Sequence, residues 1–173
     1  MALHHDLLEQ AEHLVRRERQ RPKQASLRRG ISTAYYALFH LLVADGASLL
    51  SPPQPPELRL LIQRAFNHGN MRTVCRDFVQ ANAVAGRARI PATRAPLTFP
   101  LEPHLVQVLE AFVGLQEARH QADYDPTKTW NRLAAVTHVA TARSAFVSWR
   151  AIRRSPNAAV FVAALPLQKH WGR

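Results

Sequence analysis

Apolar residues recur along this chain with the helical period, and no segment shows the alternation of a strand. From His4 to about Arg19, the side chains Leu7, Ala11, Leu14 and Val15 keep to one side while Glu9, Glu12, Arg16 and Arg17 take others, which predicts a first amphipathic helix. Ser26 can cap a second, longer helix through about Leu50, which the run Pro52-Pro53-Gln54-Pro55-Pro56 must end. A third helix is expected from Glu57 to about Asn67, stopped by His68-Gly69-Asn70, and a shorter fourth from Met71 to Asn82. His104 to Tyr124 reads as a strong helix. Asp125-Pro126 then looks like a cap with proline at the first helical position, opening a last helix to about Arg154 that Pro156 closes. The sum is an all-α, up-and-down bundle of four to five helices over residues 1–155. A basic and apolar tail follows over 156–173, and its run from Ala158 to Leu167 is expected to dock on a neighbour.

Length and composition bound what this bundle can be. The 173 residues suffice for one well-buried domain and are short for two, and the apolar fraction of 47% suits a globular core. No uninterrupted apolar stretch approaches the roughly 18 residues that span a bilayer, and the start lacks the basic region and apolar run of a secretory signal, so a cytoplasmic protein without a membrane partner is expected. Cys75 is the single cysteine, which excludes an internal disulfide and leaves a thiol metal site without a second ligand; no metal or cofactor is expected. The net charge of +11 invites a polyanion, and the 48 residues after Asp125 hold no acidic side chain. Of the 23 basic residues 20 are arginines, in a chain rich in alanine and proline, so part of that charge reflects codon composition. Residues 84 to 103 form a proline-rich connector carrying Arg87, Arg89 and Arg94, either a solvated loop or an arm that touches phosphates.

All three tyrosines fall in two polar-aromatic segments, Arg29-Gly-Ile-Ser-Thr-Ala-Tyr-Tyr-Ala-Leu-Phe-His40 and Arg119-His-Gln-Ala-Asp-Tyr-Asp125. On the second helix Ile31, Tyr35, Leu38, Phe39 and Leu42 make the core stripe, while Arg29, Thr33, Tyr36 and His40 form a separate polar-aromatic stripe, suited to a helix contact or to a ligand groove. On the later helix Leu105, Val108, Leu109, Phe112 and Leu115 define the apolar side and place Arg119 on it, pointing inward. A guanidinium there needs a partner, and Asp123 at i+4 is the nearest. Two readings stand. One is a structural Arg119–Asp123 pair, whose halving would cost roughly 3 to 5 kcal/mol if fully buried. The other is a cleft in which Arg119 offers its fork to phosphate beside Tyr124 or His120.

Together the Ser-Thr-Ala-Tyr-Tyr-Ala-Leu-Phe-His segment in an early long helix and the Arg-His-x-Ala-Asp-Tyr-Asp segment before the last helix resemble the HEPN superfamily, over roughly residues 5 to 150. The resemblance implies a four- or five-helix bundle that commonly forms a homodimer. It also implies a toxin-antitoxin or phage-defence setting with a cognate nucleotidyltransferase or antitoxin as partner, and RNA or a nucleotide as ligand. Many members are metal-independent ribonucleases carrying an Arg followed after four to six residues by a His, with two copies meeting at the dimer interface. Arg119 matches that Arg; at the spacing of the His this chain has Asp123, Tyr124 and Asp125. The resemblance therefore implies an RNA-binding protein, with endoribonuclease activity an open question; the alternative is a non-catalytic nucleotide-binding or protein-interaction module. The residues it singles out are Arg119, His120 and Tyr124 for chemistry, Asp123 to orient Arg119, and Arg29, Tyr36, His40, Arg87, Arg89 and Arg94 for nucleic acid or nucleotide. Arg132 and His138 also satisfy the Arg-to-His spacing, which about three pairs would do by chance among 20 Arg and 9 His. An unperturbed tyrosine, with a pKa of about 10, is a poor general base at neutral pH.

Overall fold

Among the described residues seven helices form: α1 (Leu3–Arg16), α2 (Gln24–Leu50), α3 (Pro56–Ala65), α4 (His68–Ala83), α5 (Pro103–Tyr124), α6 (Arg132–Ile152) and α7 (Pro156–Leu167). The computed structural model describes residues 2–50, 56–85 and 96–167, and among these there is no strand. The all-α class expected from the periodicity is what the chain adopts.

The helices sort into two compact units, one of residues 1–41 with 111–147 and the other of 42–110 with 148–173, so that α2, α5 and α6 each contribute to both. In the first unit α1 supplies Leu8, Ala11 and Val15 to the core. The same unit buries Leu27, Ile31, Tyr35 and Leu38 of α2, Phe112 and Leu115 of α5, and Val139 and Phe146 of α6. The α1–α2 crossing is close enough to require a glycine: a Cβ on Gly30 would lie 2.5 Å from Val15 Cγ1 and 3.4 Å from the Ala11 carbonyl oxygen.

In the second unit Met71, Val74, Cys75 and Phe78 of α4 are buried, and Phe78 meets Phe161 of α7 edge-on at 5.6 Å. The apolar run of the tail is thus helix α7, with Ala158, Phe161, Val162 and Leu165 buried. Trp149, fully buried, donates its indole N–H to Asp45 Oδ2 at 2.9 Å, and Arg153 approaches the same oxygen at 3.3 Å. The Asn157 side chain binds both backbone groups of Thr98, at 2.8 and 2.9 Å, and the Glu102 carboxylate at 2.9 Å. Burial pushes the Cys75 thiol up, and it is inert.

Three helix starts differ from expectation. Ser26 does not cap α2, which already begins at Gln24; its hydroxyl donates instead to Glu18 Oε1 at 2.8 Å. Local side-chain bonds explain the other two. Asp125 does not open α6: its Oδ1 accepts the Thr127 N–H, the Thr127 hydroxyl and the Lys128 N–H, closing a turn instead. Asn131 caps α6 by accepting from the Ala134 N–H. His68-Gly69-Asn70 is a start and not a stop, because Asn67 accepts from the N–H groups of Gly69 and Asn70. Helix α2, at 27 residues, is long and apolar enough to cross a membrane by length and composition alone, although it holds no uninterrupted apolar stretch of that length and 61% of its most apolar window is buried inside the protein.

Candidate functional site

The two polar-aromatic segments come together in the first unit, where α2 and the last turns of α5 pack side by side. Ser32, Tyr35 and Tyr36 of α2 face Arg119 and Asp123 of α5. Arg119 is the centre. Its Cζ lies 5.4 Å from the Tyr36 ring centroid, 5.3 Å from that of Tyr124 and 6.0 Å from that of Tyr35, so all three tyrosines of the chain surround one guanidinium. Its Nη2 donates to the Tyr36 hydroxyl at 2.9 Å and, at a long 3.4 Å, to that of Tyr124. The Nε stands 3.0 Å from Asp123 Oδ2 but off the axis of a hydrogen bond, so this contact is ionic. Asp123 Oδ2 also accepts from the Ser32 hydroxyl at 3.0 Å. Nη1 bonds to no described residue.

The environment grades from core to solvent across this cluster. Tyr35 is fully buried, Tyr36 half-buried and Tyr124 63% exposed. Arg119 lies on the inward side where helix arithmetic placed it, but it is not fully buried: its side chain and that of Asp123 keep 22% and 23% of their surface exposed. Partial desolvation opposes the Arg119 charge, while Tyr36, Tyr124 and Asp123 outweigh it and hold the guanidinium protonated. His120 is exposed and tilts on the Tyr124 ring at 5.2 Å, making the layered series His120, Tyr124, Arg119.

The other expected site residues scatter. Tyr36 joins Arg119, but Arg29 projects to solvent, and His40 is half-buried edge-on to Phe39 at 5.3 Å, with burial drawing its pKa down. Arg87, Arg89 and Arg94 lie outside the described residues. Arg132 and His138 are engaged elsewhere. Arg132 donates to the carbonyls of Glu18 and Arg19, and His138 packs against Trp130 at 5.5 Å, with burial again lowering its pKa.

Arg28 is the residue that sequence reasoning passed over. It donates to the Ala122 carbonyl at 2.9 Å, to that of Pro126 at 3.4 Å and to that of Lys128, satisfying the open end of α5 and the connector beyond it. A signal was present: Arg28, Ser32 and Tyr36 stand at i, i+4 and i+8, one face of α2, and that face meets α5. Gln24 completes the seam with two bonds to the Trp130 backbone, at 2.7 and 2.9 Å. Together with Arg132 these bonds lay the α1–α2 connector beside the α5–α6 connector. Exposed Arg17, Arg19, Arg21 and Lys23 are thereby brought to the same edge as exposed Lys128. The one acid in that stretch, Glu18, turns its carboxylate to the Ser26 hydroxyl at 2.8 Å and the Lys23 N–H, and these bonds hold its pKa low.

The arrangement offers a fixed cation with spare donors, an exposed aromatic pair, and a basic edge. No histidine is within hydrogen-bonding distance of Arg119 among the described residues, and no group of three or more His, Cys, Asp or Glu side chains gathers there as a metal site would need. No family profile, no curated protein and no solved structure matches the chain.

Proposed function

We propose that this chain is a HEPN-like protein that binds single-stranded RNA through the corner formed by Arg119, Tyr124 and His120. The observation that carries the reading is the layering of an exposed tyrosine and histidine over a guanidinium already held in place, beside an edge of five exposed cations. Bases stack on exposed aromatic faces whatever their identity, and phosphates reward clustered Arg and Lys. A guanidinium held by Tyr36 and Asp123 has already lost the freedom that binding would otherwise cost. The direct contact between Tyr36 and Arg119 also supports the HEPN-like reading, since it joins the two segments on which that resemblance rests. Binding is favoured over cleavage because Asp123, the carboxylate nearest Arg119, is occupied by Arg119 and Ser32, and no histidine reaches the guanidinium.

Fluorescence anisotropy with a labelled single-stranded RNA tests this directly. If all five cations of the edge meet phosphates, affinity falls roughly a hundredfold between 50 and 200 mM salt. Tyr124→Ala is expected to weaken binding at least about fivefold, the lower end of one lost stacking contact. Absence of binding at the lower salt overturns the reading, and RNA fragments on a gel after incubation with the purified protein would restore cleavage.

A further inference from the structure

Helix α3 presents a symmetric pattern to solvent. Among its described residues, 57 to 65, none is buried. Ile62 and Gln63 are half-buried and lead into buried Phe66, which packs on Gly46, so this side of α3 faces its own unit. The opposite side carries Glu57, Leu60, Leu61 and Arg64 at i, i+3, i+4 and i+7, a single face. Leu60 and Leu61 are 56% and 60% exposed there. An acid in the first turn and a base in the last suit the helix dipole. They do not explain two adjacent leucines held in water.

The order acid, leucine, leucine, base is symmetric in spacing about its midpoint. Laid antiparallel on a second copy of itself, the face sets Glu57 opposite the second copy's arginine, leucine against leucine at the centre, and Arg64 opposite its glutamate. A two-fold pairing of this kind satisfies each charge twice and covers all four leucines. We propose that this face of α3 is a self-association surface, joining two copies of the chain as an antiparallel helix pair. It does not rest on the RNA reading, and it is a different surface from the one around Arg119. A helix of 10 residues is only about 15 Å long. The contact falls below the roughly 1,200 Å² of a standard interface, so association is expected only at about 10 to 100 µM.

Sedimentation velocity of the full chain across that range is the test. The parent protein is expected to shift from monomer to dimer. Glu57→Arg and Arg64→Glu each place like charges opposite one another and are expected to weaken the dimer at least about tenfold, whereas the double swap restores it. Leu61→Asp abolishes association while circular dichroism shows the helices intact. A monomer at every concentration overturns the proposal, as does a dimer indifferent to the single reversals or one that the double swap fails to rescue. Loss of the dimer in Arg119→Lys, with the charge swaps silent, would place the two-fold elsewhere and also overturn it. Co-sedimentation with anionic vesicles by a protein that stays monomeric would assign the face to a lipid surface instead.

Discussion

Each unit contains an arginine, an aspartate and an aromatic ring in mutual contact, and the two clusters put a different member at the centre. In the second unit the aspartate is central: Asp45 receives both the buried Trp149 indole and Arg153. The aromatic ring belongs to the core, and the carboxylate exists to satisfy its N–H. In the first unit the arginine is central, ringed by tyrosines of which one is largely exposed. Polar groups whose partners all lie within the protein hold a fold together. A charged group with donors to spare, flanked by accessible rings, is ready for something outside the protein.

Substitutions separate the two roles, and the largest effect belongs to Asp45. Asp45→Ala strands the buried indole N–H and is expected to cost about 2 to 3 kcal/mol in urea unfolding while leaving RNA affinity unchanged. A loss below about 0.5 kcal/mol would erase the contrast between the clusters. Next comes Arg119→Lys, which keeps the charge and loses the planar fork; RNA affinity is expected to drop about tenfold, with a stability loss under about 1 kcal/mol. The roughly 3 to 5 kcal/mol of a fully buried pair does not apply, because water reaches both Arg119 and Asp123. A large stability loss with unchanged binding would make the first cluster as structural as the second. Asp123→Asn follows: it removes the ionic contact, keeps an acceptor for Ser32, and is expected to weaken RNA binding only two- to threefold, read by the same anisotropy titration.

The smallest effect is one of pH. Burial lowers the folded-state pKa of His40 and of His138, so the unfolded chain takes up protons first as pH falls. Their contribution is full above the unfolded value of about 6.5 and is lost as pH drops below it. Glu18, Glu102 and Asp125 also have lowered values, but their contribution is lost only in the carboxylate range. The urea midpoint is therefore expected to fall modestly between pH 7.5 and 5.5, and the double variant His40→Gln with His138→Gln should flatten that slope. An unchanged slope would remove the two histidines from the account.

The sequence was most legible where period alone decides. The core stripes of α2 and α5 were readable residue by residue, and so was the Arg119–Asp123 pair, because i+4 neighbours meet on any helix. What escaped depends on partners distant along the chain or on competing local bonds. Arg28 and Arg29 are adjacent and chemically identical; only carbonyls some 94 to 100 residues away choose between them. Asp125-Pro126 has the composition of a helix start, yet the Thr127 hydroxyl and N–H took the carboxylate that a cap would have used. Helix α7 is apolar on nearly every side, which removes the amphipathic signal while marking a segment made to be enclosed.

The enclosed thiol of Cys75 has a practical consequence. A cysteine introduced at Tyr124 or Leu61 would be the one thiol that a maleimide reaches in the native protein, so a fluorophore or spin label can be attached at either surface without first deleting the natural residue. Under mild denaturant, Cys75 becomes the reporter instead, and the rate at which it is labelled times the opening of the helices around α4.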